Sequence, residues 1–220
     1  MNHSHVPAPE LFQSRSVHRL LFALLGLGML FLAIVLITAL VAPAGSELRR
    51  QFAFSWLFAF IYFFTILIGC LFWILVHHAT DSGWGIVVRR QMENLAALLP
   101  WTILFFLPLV LFRFEIWNWL TAKDHLDANP ALRDKIGYFE LHFGLVTLPF
   151  FWIRAALYFL YFAGAAIYFR RTSVKQDADG NPRWSIQMRG FSFVGIILFA
   201  LGTTFMAFDW MASLDYRWAS

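Results

Sequence analysis

Five apolar runs in the chain are each long enough to cross a hydrocarbon core of about 30 Å, which takes about 20 helical residues. They lie at 20–41, 52–76, 94–112, 143–169 and 191–208. The pattern predicts an all-α integral membrane protein, a bundle of five transmembrane helices. The first run follows Arg15 and Arg19 and is followed by Ala42-Pro43-Ala44, as in a signal peptide. Its apolar core exceeds the roughly 7 to 15 residues of a signal h-region, so it is read as an uncleaved span. Residues 1–19 are then a cytoplasmic N-terminal segment and 20–220 the transmembrane domain.

Composition sharpens this reading. Apolar residues make up 60% of the 220, aromatic residues 19% and charged residues only 14%. Soluble domains carry about 25% charge, which excludes a soluble enzyme. The single cysteine, Cys70, and the lack of any CxxC or CxxCH exclude a disulfide scaffold, a cysteine-ligated iron–sulfur cluster and attached c-type haem within this chain. The net charge of +4 comes from cations spread between the apolar runs, which fits topology and not nucleic-acid binding.

Assigning Lys and Arg to alternate sides places nine with the N-terminus and seven opposite, where eight of the thirteen carboxylates also lie. This bias predicts a cytoplasmic N-terminus. In the connection 113–142, Trp117 and Trp119 suit a short helix at headgroup level, and Asn129-Pro130 is a helix-start signal. The polar, turn-rich stretch 175–182, within the connection 170–190, reads as an exposed cytoplasmic loop.

Arg154 is the costliest residue. Eleven residues into the fourth run, it falls about 16 Å deep, near the midplane. Insertion scales put the cost there at about 2.5 to 3.5 kcal/mol, so a partner or hydrated cavity is expected. Steps of seven residues connect it to Glu140 and Thr147 on one side and to Tyr161 and Tyr168 on the other. Seven residues fall only about 20° short of two turns, so one polar stripe would run along the helix, unless Pro149 kinks it. Its members are candidates for a proton path or quinone site, and the alternative is a structural arginine.

A second candidate cluster is His77, His78 and Asp81, followed by Trp84, Arg89, Arg90 and Glu93 at helical spacing. It reads as positive-inside chemistry with Trp84 at the interface, or as a protonatable entrance, since histidine titrates near neutral pH. A membrane haem held by two histidines needs them at similar depth on facing helices, and His142 lies at the opposite end of its helix from His77 and His78.

The run HHATDSGWGIVVRRQMENLAALLP, residues 77–100, and the run FDWMASLD, residues 208–215, resemble the ActF-type integral membrane subunit of bacterial alternative complex III, within the NrfD or polysulfide-reductase membrane-subunit group. The resemblance implies an NrfD-like bundle of about ten helices, of which these five spans are half. The remaining helices are expected in a continuation of the chain or in a separate one. It further implies a cofactor-free subunit of a quinol oxidoreductase in the inner membrane, within a respiratory or photosynthetic electron-transfer chain. Its expected partners are an ActC-like membrane subunit, the better candidate for the quinol site, and subunits carrying iron–sulfur clusters and c-type haem. Lipid is a further partner, and quinone a possible ligand. Two other classes stay open: half of a secondary transporter, which would also keep charge near the midplane, and a purely structural anchor.

Overall fold

The computed structural model describes residues 15–83, 85–143 and 146–217. Trp84 and most of the expected N-terminal segment therefore lie outside the described residues. Among the described residues, five stretches are long and apolar enough to cross a membrane: His18–Val41, Glu47–Ala79, Val88–Leu111, Phe150–Asp179 and Arg183–Leu214.

Two compact units divide the chain, Met1–Arg49 and Arg50–Ser220. In the first, α1 (Arg15–Val41) is apolar from Leu20 onward except for Thr38, whose hydroxyl donates to the Ile34 carbonyl at 2.8 Å and so needs no water. The second unit holds nearly all of α2 (Glu47–Ala79) and everything after it.

The third span is broken by its prolines. α3 (Ile86–Ala96) gives way to a single 3-10 turn, Leu99–Trp101, containing Pro100, and then to α4 (Thr102–Leu111). Inside α4, Pro108 has no N–H to offer the carbonyl four residues back, which opens the helix on that side. The neighbouring Phe105 carbonyl accepts the Trp56 indole N–H from α2 at 2.8 Å, a cross-helix bond suited to a medium that supplies no water.

The connection that follows is folded. Four one-turn helices, α5 (Arg113–Ile116), α6 (Trp119–Ala122), α7 (Pro130–Arg133) and α8 (Ile136–Phe139), lead into a two-stranded antiparallel hairpin. Its strands are β1 (Leu141–Phe143) and β2 (Val146–Leu148), with His142 opposite Thr147. Asn129 and Pro130 start α7 as expected, although the Asn129 amide turns back to the His125 carbonyl instead of capping. Trp117 and Trp119 differ from expectation: both are buried, packed on Phe139, Phe151 and Trp152, not set at a headgroup surface.

Pro149 stands outside helical geometry and α9 (Phe150–Asp179) begins only after it. The fourth span therefore starts seven residues later than the apolar run suggests, because its first part, rich in β-branched and aromatic residues, forms the hairpin. At the far end α9 continues through the polar stretch to Asp179. Gly180 then takes the left-handed conformation (φ 62°) that ends helices, and α10 (Arg183–Trp210) starts three residues on. The expected loop 170–190 is thus mostly helix with a tight turn.

Between α2, α4, α9 and α10 the interior is aromatic. Phe60, Phe64, Phe106, Phe159, Phe162 and Trp210 meet mostly edge-on or tilted, with ring centroids 5.0 to 6.0 Å apart, and Phe60 stacks on Phe64 at 5.4 Å. These are favoured geometries for rings with a negative face and positive edge.

Candidate functional site

Two buried charge networks sit near opposite ends of α9. The first centres on Arg154, the fifth residue of α9, about 6 Å along the axis from its start. That places it near the start of the fourth span and not at its middle, because the hairpin strands precede the helix. Its partner is Asp209, the penultimate residue of α10, which the antiparallel run of the two helices brings to the same level. Nε donates to Oδ2 at 2.8 Å and Nη2 to Oδ1 at 2.6 Å, the paired fork that distinguishes arginine from lysine. Nη1 donates to the Tyr138 carbonyl at 2.7 Å. The Tyr138 and Phe150 rings cover the guanidinium, centroids 4.0 and 4.4 Å from its carbon.

Asp209 is fully buried, and Tyr158, one turn beyond Arg154, donates its hydroxyl to Oδ2 at 2.5 Å. The Ser213 hydroxyl donates to the Asp209 carbonyl, helping to close the end of α10. Tyr138 lies in the connection before α9. Burial first, and then the Asp209 carboxylate, push its phenol up to about 12. The network therefore holds one fixed cation, one carboxylate and neutral phenols.

The second network centres on Glu93 of α3, whose side chain is fully buried. Arg90 donates to Oε2 at 3.0 Å, Arg89 lies 3.4 Å from Oε1, and Arg170 of α9 stands 4.0 Å from Oε2. The helical spacing anticipated the first two contacts; Arg170 comes from a different helix. Arg90 also pairs with Asp177.

At the same end, His77 and His78 close α2, both buried. His77 stacks on Trp73 with centroids 5.0 Å apart and His78 on Phe169 at 5.3 Å. Gly85 packs so closely here that a Cβ would stand 2.8 Å from His77 Nδ1 and from the Trp73 ring. Among the described residues, neither His77 Nδ1 nor His78 Nε2 has a hydrogen-bond partner. Asp81 is exposed and pairs with Arg189 at 3.4 Å, so its carboxylate is turned to α10 and not bonded to His77.

The proposed stripe divides at Pro149. Arg154, Tyr161 and Tyr168 all face α10: the Tyr161 hydroxyl donates to the Gly195 carbonyl, and Tyr168 packs on Phe191 at 4.6 Å. Glu140 lies at the end of α8, where it accepts from Lys123 at 2.7 Å, and Thr147 is exposed on β2. Neither shares a helix with Arg154. Among the described residues, no three His, Cys, Asp or Glu side chains converge as a metal site.

Asp209, Tyr158 and Tyr138 escaped the sequence reading. Asp209 had a usable signal, being the sole ionisable residue between Arg189 and Asp215, at the end of an apolar run facing the run that holds Arg154. Comparison with known protein families and with curated proteins finds no match for the chain.

Proposed function

We propose that the chain is an integral membrane subunit of a quinol-oxidising electron-transfer complex in a bacterial inner membrane, with its N-terminus in the cytoplasm. The redox centres, c-type haem and iron–sulfur clusters, belong to partner subunits beside an ActC-like membrane neighbour. One observation carries this reading beyond the resemblance. Each stretch that bears the resemblance, 77–100 and 208–215, delivers one fully buried carboxylate, Glu93 and Asp209 respectively, to an arginine of α9.

Quinol oxidation releases protons together with electrons, so a metal-poor subunit beside that chemistry needs fixed charge and protonatable groups. The two networks supply them as separate half-sites. Arg154 and Arg170 are 16 residues apart, about 24 Å along α9, with the aromatic interior between them. A proton route would use each end by itself, in contact with neighbouring subunits, and not a continuous wire through this bundle. The transporter reading expects a pair of interrupted helices at one depth. Among the described spans, only the third is interrupted at mid-length.

Purification from native membranes tests the assignment. Co-isolation with c-type haem absorbance and quinol-dependent reduction of an acceptor is expected. A haem-free preparation that supports solute uptake would overturn it.

A further inference from the structure

Away from both charge networks, a groove of about 610 Å³ runs between α4 and α9. Its floor is made of small residues, Ala156, Ala163 and Gly164 among them, and Leu107 and Phe159 contribute to its apolar walls. From Trp152 to Ile167 it follows α9 for about 22 Å. An apolar groove about 22 Å long suits a single extended hydrocarbon chain.

The end of the groove decides which chain. Leu160, Gly164 and Ile167 repeat at four and three residues along one face of α9, and the next position on that face is Arg171, followed a turn later by Lys175. Both cations are exposed. Arg171 takes no part in the ion pairs that Glu93, Asp177 and Asp81 form at this end. Arg171 stands about 26 Å along α9 from Arg154, close to the thickness of a hydrocarbon core of about 30 Å, a spacing that lets Arg171 meet a lipid phosphate.

We infer that this groove binds one anionic glycerophospholipid, an acyl chain along α9 between Trp152 and Ile167 and the phosphate on Arg171. The inference requires only that the chain spans a membrane and is independent of the redox assignment. Gly164 provides a clean probe, because a Cβ built there meets nothing within 4 Å and a larger side chain enters open space instead of the core.

The test uses the full protein in nanodiscs of phosphatidylcholine with a minority of phosphatidylglycerol, followed by mild detergent extraction and mass spectrometry of retained lipid. Phosphatidylglycerol is expected to be enriched about five-fold over its share of the bilayer, the effect of one juxtamembrane cation. Arg171→Gln should return the ratio to that of the bilayer. Gly164→Leu should remove the retained lipid while leaving the thermal transition in place, and Ala156→Leu serves the same purpose should Gly164→Leu fold poorly. Retention of both lipids in bilayer proportion by the unaltered protein would overturn the inference. So would preferential retention of an added long-chain ubiquinone, or full displacement of phosphatidylglycerol by inorganic phosphate. Cross-linking of a Gly164→Cys variant to another polypeptide would assign the groove to a protein neighbour instead.

Discussion

The carboxylates of Asp209 and Glu93 are equally buried, yet they are held in opposite ways. Asp209 meets one arginine in a two-bond fork and a tyrosine hydroxyl at 2.5 to 2.8 Å, and the same arginine lies over two rings. Glu93 is approached by three arginines at 3.0 to 4.0 Å, each partly exposed, and only Arg90 makes a close hydrogen bond to it. The first carboxylate is fixed by geometry and the second by surplus charge. A buried pair held in a two-bond fork resists rearrangement, whereas cations with access to water can trade the carboxylate for solvent or for another anion at little cost.

Removing the carboxylates should expose that difference most sharply. Asp209→Ala leaves Arg154 buried without its counter-charge, a loss of about 3 to 5 kcal/mol. The expected result is a protein that fails to accumulate or melts far below the parent, while the joint change Arg154→Met with Asp209→Leu recovers most of the stability. Tyr158→Phe deletes one charge-assisted hydrogen bond, worth about 1.5 to 3 kcal/mol, and should lower the thermal midpoint with the assembly intact. Glu93→Gln, by contrast, should cost only about 1 kcal/mol, because Arg89, Arg90 and Arg170 can turn to solvent. A loss as large as that of Asp209→Ala would erase the distinction between the two ends.

The smallest effect is a titration. Tyr138 is neutral in the fold up to about pH 12, whereas in an unfolded chain it ionises near 10. The stability it contributes is therefore fully present below pH 10 and lost as pH rises toward 12. Tyrosinate absorbance should show fewer phenols titrating near pH 10 in the parent than after unfolding, and Tyr138→Phe should reduce that difference by one.

The spans were legible because apolar length alone decides them. The start of α9 was not, because the segment 143–148 is apolar enough to pass for helix while its local preference and Pro149 favour a hairpin. That single boundary moved Arg154 from mid-span to a helix end and separated Glu140 and Thr147 from the stripe. The pairing of Arg89 and Arg90 with Glu93 was readable since helical spacing fixes it. The Arg154–Asp209 pair spans 55 residues, so its signal was complementarity between two isolated charges and not a local pattern. Trp117 and Trp119 illustrate the same limit: their amphipathic character fits an interface, but the folded connection encloses them.

The closed fork at Arg154 also bears on how the protein responds to an electric field. An isolated charge crossing the whole membrane gains about 2.3 kcal/mol per 100 mV. The opposite charges of Arg154 and Asp209 are 2.6 Å apart at their closest, under a tenth of a hydrocarbon core of about 30 Å. A potential of about 100 mV therefore shifts the energy of the closed pair by only a few tenths of a kcal/mol. Energising the membrane leaves this end of the bundle undisturbed, and whatever the potential moves must be a charge that has first been released from such a pair.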